Sequence, residues 1–358
     1  MRLHELGWNE DVSRAFAEWA GRADVQPARV AIEFNHLYRL YVDDGEVEAV
    51  VAGRLKHRAT SRGQLPAVGD WVVVRKRPDD DRATIVAVLP RRSRFSRKMA
   101  GQITDEQVVA ANVDVIFIVM ALDADFSLRR LERYLLLARE SGASPVVLLT
   151  KPDLCADVAA SVADTVTISG DLPVHVVSPK LNEGMEHVRG YLAAGRTCAL
   201  LGSSGVGKST IINRLVGAEI RKTREVRERD SKGRHATAHR ELVALPDGGL
   251  MIDTPGMREL QLWEVGGAVG ETFEDIEALA LHCHFGNCRH RGEPRCAVKT
   301  AVENGQLPAE RLASYQKLQG ELALLARQRD ERAQIDEKRR AKVMGKALRQ
   351  RPRTLPGS

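Results

Sequence analysis

The stretch Thr197-Cys198-Ala199-Leu200-Leu201-Gly202-Ser203-Ser204-Gly205-Val206-Gly207-Lys208-Ser209-Thr210 admits few folds. Its apolar start has strand character, and Ile211, Ile212, Leu215 and Val216 recur afterwards at helical spacing. The loop between them reads Gly-x-x-x-x-Gly-Lys-Ser, the pattern of a phosphate loop. Glycines at 202, 205 and 207 open backbone angles closed to other residues. Successive N–H groups can then turn inward on phosphate oxygens, and the helix start adds its positive end. In such a loop Lys208 reaches the outer phosphates and the Ser209 hydroxyl binds Mg²⁺. A plain glycine-rich turn requires no strand before it and no helix after it.

At 358 residues the chain has room for two or three domains, at roughly 100–200 residues each. Lys+Arg 54 against Asp+Glu 48 gives a net charge of +6, and the excess matters because it concentrates in the C-terminal tail. No apolar run approaches the roughly 20 residues that span a bilayer, and Met1 to Glu5 lack the regions of a signal peptide. A cytoplasmic location with no membrane partner is therefore expected, and the chain is taken to be a monomer. Five cysteines in a chain of this size make no disulfide framework, and three of them fall between positions 283 and 296.

In chain order, Val12 to Trp19 read as a short amphipathic helix with Phe16 and Trp19 on one face. Short strands follow at Val30 to Phe34, Leu37 to Val42, Val47 to Ala52, Trp71 to Arg75 and Thr84 to Leu89. They suit a small closed barrel, with the five-stranded oligonucleotide-binding (OB) fold as the natural candidate and an SH3-like barrel reading much the same. Lys56, His57, Arg58, Arg62, Arg75 and Lys76 lie beside its loops, where they suit a phosphate backbone or simply solvent. Arg91 to Lys98 form a basic connector interrupted by Phe95, either a plain linker or a face for RNA phosphate. Apolar runs then alternate with helical patterns, as a parallel sheet with crossover helices requires. The strands read as Val113 to Met120, Pro145 to Leu149, Val174 to Val177, Thr197 to Leu201, Leu242 to Leu245 and Leu250 to Ile252.

Thr150-Lys151-Pro152-Asp153 ends the second of these strands. The Asp153 carboxylate can accept both the ring N–H and the exocyclic amine of guanine, an edge that adenine lacks, so the nucleotide should be GTP rather than ATP. Lys151 would lie along the base, and Thr150 stands where Asn is usual, which weakens the bracing of the loop. Ser178, at the end of the next strand, can place its backbone beside the guanine oxygen or cap a helix. Downstream, Asp253-Thr254-Pro255-Gly256 end a strand in Asp-x-x-Gly: Asp253 would hold Mg²⁺ through water, and the Gly256 N–H would meet the γ-phosphate. Arg221 to Arg240 are polar and aperiodic, as a mobile switch should be, and Thr237 is the hydroxyl of Gly233 to Arg240 that can complete the Mg²⁺ shell. Met257 replaces the water-orienting Gln of many GTPases. His235 is the candidate for that role, with His239 second, and Lys208 and Thr237 complete the catalytic set.

Cys283-x4-Cys288-x-His290-x5-Cys296 offers three sulfurs and an imidazole, with His282 and His284 as spare imidazoles. Such a set suits tetrahedral Zn²⁺ in a closed structural site. Leu312, Tyr315, Leu318, Leu322 and Leu325 then mark one face of a helix from about Ala309 to Gln328. The basic tail beyond either orders on RNA or serves solubility.

In the usual GTPase the phosphate loop precedes the guanine motif; here the order is reversed. Combined with the Gly69-Asp70-Trp71-Val72 barrel strand, the Gly233-Arg234-His235 switch and the Cys/His cluster, this rotated order resembles the circularly permuted, ribosome-small-subunit-dependent GTPase family, RsgA. The resemblance spans almost the full length. Ala236 and Ala238 depart from the family's threonine run and leave Thr237 as the matching metal-binding position. The resemblance assigns His290 as the fourth zinc ligand. It implies a GTPase stimulated by the small ribosomal subunit and acting late in its maturation, with GTP/GDP, the subunit and its ribosomal RNA as partners.

The expected architecture is multidomain: a helical extension (1–29), an OB-fold barrel with basic connector (30–98), a circularly permuted α/β P-loop GTPase domain (99–262), an α-helical zinc-binding domain (263–330) and a disordered basic tail (331–358). A zinc-containing RNA-binding protein with a vestigial nucleotide pocket is the alternative, against which intact Lys208, Ser209, Asp253 and Asp153 argue. A P-loop kinase or ATPase is disfavoured by Asp153.

Overall fold

A computed structural model describes residues 2–34, 37–43, 45–76, 82–98, 106–217, 240–246, 248–253 and 268–327. They divide into two compact units, one running to Glu274 and the other from Asp275 onward.

The first unit opens with α1 (Glu10–Phe16), whose N-cap Asn9 side chain accepts the Val12 N–H at 3.1 Å. Five strands then close a barrel: β1 (Val25–Phe34), β2 (Leu37–Val42), β3 (Gly45–Val51), β4 (Trp71–Arg75) and β5 (Ala83–Val88), with α2 (Gly53–Arg58) between β3 and β4. β1 pairs antiparallel with both β2 and β4, β2 with β3, and β4 with β5; the parallel pair β3–β5 closes the ring. That closing order makes it an OB fold. Alternation puts Ala28, Val30, Tyr38, Leu40, Val72, Val74 and Ile85 inside. The expected boundary at 29/30 falls within β1, which starts at Val25.

Arg91 to Lys98 are not a solvated linker. β6 (Arg94–Lys98) pairs antiparallel with β7 (Glu106–Ala111). Arg91, Ser93 and Phe95 turn inward, and Arg91 makes a bidentate pair with fully buried Asp70. Arg92 and Arg94 pair with Asp114 and Glu106. Of the barrel's basic residues, Lys56, His57 and Arg58 are exposed on α2, while Arg75 pairs with Asp24 at 2.6 Å.

The α/β part follows: β8 (Val115–Ala121), α3 (Leu128–Ser141), β9 (Ser144–Thr150), α4 (Val158–Ser169), β10 (Val174–Val177), α5 (Met185–Gly190), β11 (Thr197–Leu201), α6 (208–217), β12 (Glu241–Ala244), β13 (Leu250–Asp253) and α7 (Ala268–Thr272). The sheet order is β10-β9-β8-β11-β13-β12, parallel up to β13. Every residue of β8 is buried, as expected of a central strand covered on both faces. The sheet continues into the barrel through β12 and β1, paired at Glu241 and Ile32.

Arg29 of β1 ties these parts together from full burial. It donates to Gly69 O at 3.2 Å, Asn112 O at 3.1 Å, Thr197 Oγ1 at 2.8 Å and Leu6 O. Burial lowers its guanidinium to about 10, against the pull of Asp114, so it stays charged at neutral pH.

The second unit holds α8 (Glu274–Ala280) from its second residue on, α9 (Ala297–Glu303) and α10 (309–327). Arg311 of α10 pairs with Asp275, and the Tyr315 hydroxyl donates to Glu277 at 2.9 Å. Leu312, Tyr315 and Leu318 are buried, as their spacing predicts. Among the described residues no helix is long and apolar enough to cross a membrane.

Candidate functional site

Because β9, β10, β11 and β13 run parallel, their C-terminal ends share one sheet edge, where ligands bind in folds of this kind. The loop after β11 has Gly205 and Gly207 in the left-handed region, at φ +76° and +100°. A Cβ at Gly202 would lie 2.3 Å from Val119 O, so only glycine lets the loop press this closely on β8. Lys208, at the start of α6, folds back to donate to Gly202 O at 2.7 Å and to Ser203 O, which holds its ammonium over the loop. Val206 is buried, while Ser204, Ser209 and Thr210 are exposed.

The segment Thr150 to Asp153 meets this loop directly. Thr150 is fully buried, and its hydroxyl donates to Val206 O at 2.7 Å. The hydroxyl thus braces the phosphate loop, where the sequence suggested weakened bracing. Lys151 adopts a left-handed conformation and pairs with Asp123 at 2.8 Å. That hydrogen bond holds the Asp123 carboxyl below its usual value. Asp153 stands exposed in the short 3-10 turn Pro152–Leu154, open to a ligand edge. Ser178 is buried and its N–H donates to Glu183 O at 2.9 Å, which commits that donor within the chain rather than to a base.

β13 lies beside β11 with Ala199 opposite Ile252, so Asp253 comes at the same edge as the phosphate loop. His235, Thr237 and His239 lie outside the described residues, as do Gly256 and the basic tail.

Sequence reasoning missed several side chains around this edge. Arg130 Nη1 donates to Ser203 Oγ at 3.0 Å, and Tyr134 Oη lies 3.2 Å from the same oxygen. Arg214 of α6 donates to Pro179 O and Lys180 O, both at 2.7 Å, anchoring the loop after β10. The available signal was acidic residues at 123 and 125, just beyond a strand with no polar residue.

In the second unit Cys283, Cys288, His290 and Cys296 place their ligand atoms within 4.8 Å of one another. A tetrahedral zinc with metal–sulfur bonds of about 2.3 Å needs sulfur–sulfur edges of roughly 3.8 Å. Cys283 and Cys296 stand 3.9 Å apart, and His290 Nδ1 lies 3.6 and 3.3 Å from their sulfurs, so the donors fit such an ion. Burial alone would raise the Cys283 thiol, but hydrogen bonds from the backbone N–H groups of Val298 and Ala297 and with the Cys296 and Cys288 thiols together bring it below its ordinary value. Gln316 donates to His290 O at 2.6 Å, tying the cluster to α10.

Comparison with known proteins matches the RsgA GTPase family model to residues 88–263. The small ribosomal subunit biogenesis GTPase RsgA of Opitutus terrae is 48% identical over 339 residues, 92% of each chain. Among solved structures, YjeQ from Thermotoga maritima aligns at 25% identity with a TM-score of 0.61, over 84% of this chain and 99% of that one. YloQ, described as a circularly permuted GTPase, aligns at 24% identity with a TM-score of 0.57, over 85% of this chain and 96% of its own, and bears on the fold alone.

Proposed function

The chain belongs to the RsgA GTPase family, and on that premise we propose that it hydrolyses GTP to GDP and phosphate in small ribosomal subunit biogenesis, late in maturation and with stimulation by the subunit. The observation that carries the reading is the meeting of two distant motifs: the hydroxyl of Thr150, in the base-reading segment, bonds the phosphate loop at Val206 O. Asp153 accepts the two donors of guanine, while the loop amides and Lys208 take the triphosphate. Ser209, Thr237 and Asp253 would hold Mg²⁺, which when bound neutralises charge on the phosphate oxygens. The Gly256 N–H meets the γ-phosphate and His235 orients the attacking water, since Met257 cannot.

Hydrolysis of GTP and ATP measured side by side, with and without small subunits, tests this. GTP turnover should exceed ATP turnover and rise with subunits; equal use of ATP would overturn the reading. His235→Ala should keep GTP affinity and lose about 10²-fold or more of turnover. Unchanged turnover removes His235 from the mechanism.

The Cys283, Cys288, His290 and Cys296 set would hold one structural zinc, supported by the close approach of its donor atoms and by the hydrogen bond from Gln316 of α10 to the His290 carbonyl. Chelation should release about one equivalent of zinc per chain and melt α8 to α10, read as lost helical circular dichroism. A reduced chain that keeps those helices and carries no metal would refute the site. Ribosomal RNA is the expected polyanion for the exposed basic face of α2 and for the tail. The chain acts as a cytoplasmic monomer built from the barrel, the permuted GTPase domain, the zinc module and the tail.

A further inference from the structure

We propose that the turn joining β8 to α3 is a positioning bridge, in which Asp123, Asp125 and Arg130 set the phosphate loop at a fixed distance from the guanine-reading loop. The proposal rests on the reading of this edge as a guanine-nucleotide site. The order β9-β8-β11 places β8 between the strand that ends in the base loop and the strand that ends in the phosphate loop. Whatever follows β8 is therefore the segment placed to touch both.

The contacts run without a break from one loop to the other. Lys151 Nζ donates to Asp123 Oδ2 at 2.8 Å. Asp123 Oδ1 accepts the Asp125 N–H at 3.0 Å. Both Asp125 carboxylate oxygens accept from the Arg130 guanidinium, and Arg130 Nη1 reaches Ser203 Oγ at 3.0 Å. Tyr134, one helical turn further on, grips the same hydroxyl. Ser203 is a consequential place to hold, because its carbonyl is also where Lys208 rests. Movement of Ser203 relative to Lys151 would change the span between base and phosphates.

The pairs are partly open to solvent, with side-chain exposures of 31% and 58% for Arg130 and Asp125 and 33% and 22% for Lys151 and Asp123. Ion pairs of that exposure add little to fold stability. Their effect is preorganisation: loops already at the right separation lose less freedom when the nucleotide arrives. Loss of the bridge should therefore weaken binding of ground state and transition state alike, raising KM and sparing kcat.

The test uses the full chain, with fluorescent GDP and ADP titrations, GTPase kinetics and thermal unfolding on Arg130→Ala, Asp123→Asn and the double variant. Each single variant should weaken GDP binding about 5- to 10-fold, raise KM similarly and leave kcat within about twofold and the unfolding temperature nearly unmoved. The double variant should be little worse than either single one, because both break the same chain. Multiplicative losses would overturn the bridge, as would GDP affinity unchanged in Arg130→Ala or a matching fall in unfolding temperature. Wild-type chain binding ADP as tightly as GDP would instead overturn the guanine reading.

Discussion

Asp153→Asn should remove the preference for guanine over adenine nucleotides, with GTP binding weakened by about 10³-fold while the phosphate loop remains intact. Guanine presents two donors on one edge, its ring N–H and its exocyclic amine, and a carboxylate supplies two acceptors. An asparagine keeps one acceptor and turns an N–H₂ group toward the amine, donor against donor. The loss falls below the roughly 10⁴–10⁵ of a sealed pocket because Asp153 stands exposed, where water competes for both partners. Xanthine carries a carbonyl where guanine has its amine, so Asp153→Asn should bind xanthosine diphosphate more tightly than GDP. Titration of the variant with GDP, ADP and xanthosine diphosphate measures both effects. An unchanged order of affinities would show that base selection lies elsewhere.

Much of this site was legible in the sequence because local signals coincided: around Thr197 to Thr210 a strand pattern, a glycine motif and a helical period meet within a few residues. What stayed hidden depended on partners far along the chain. Thr150 and Val206 are 56 positions apart, and Thr150 looked like a loss of bracing until its hydroxyl was placed. Lys151 finds Asp123 across two parallel strands, a relation no spacing reveals. Barrel strands were visible from alternation, but an OB fold and an SH3-like barrel differ in which strands close the ring, and the parallel β3–β5 pair is non-local. The first barrel strand was read from Val30, but β1 begins at Val25 and holds Pro27 opposite Val73, a residue that cannot donate to a ladder and so gives no strand signal. In the 91–98 stretch, the inward alternation of Arg91, Ser93 and Phe95 was masked by charge. An arginine reads as solvated unless its buried partner is known.

Arg91→Ala should cost the first unit about 3–5 kcal/mol, the range for stripping one partner from a buried ion pair. Asp70 is fully buried and takes Arg91 at 2.7 Å on each carboxylate oxygen, with the Ala67 N–H as its other donor at 2.8 Å. Arg91 also donates to Gly63 O and Leu65 O, so its loss leaves those carbonyls short of a donor as well. Burial already pushes the Asp70 carboxyl above its ordinary value, with Arg91 as the main opposing influence. Removing Arg91 must push it higher. A group that binds its proton more tightly when folded makes stability fall as pH rises through the folded-state value. The variant should therefore be least stable at neutral to alkaline pH and recover part of the loss on acidification, as Asp70 becomes neutral. Asp70→Asn placed in the Arg91→Ala background should recover much of the loss at pH 7 and flatten the pH dependence, because no stranded charge remains. Urea unfolding of the wild-type chain and the two variants across pH decides the matter: equal stability of Arg91→Ala and the double variant at pH 7 would mean that lost packing, not an unpaired carboxylate, sets the cost.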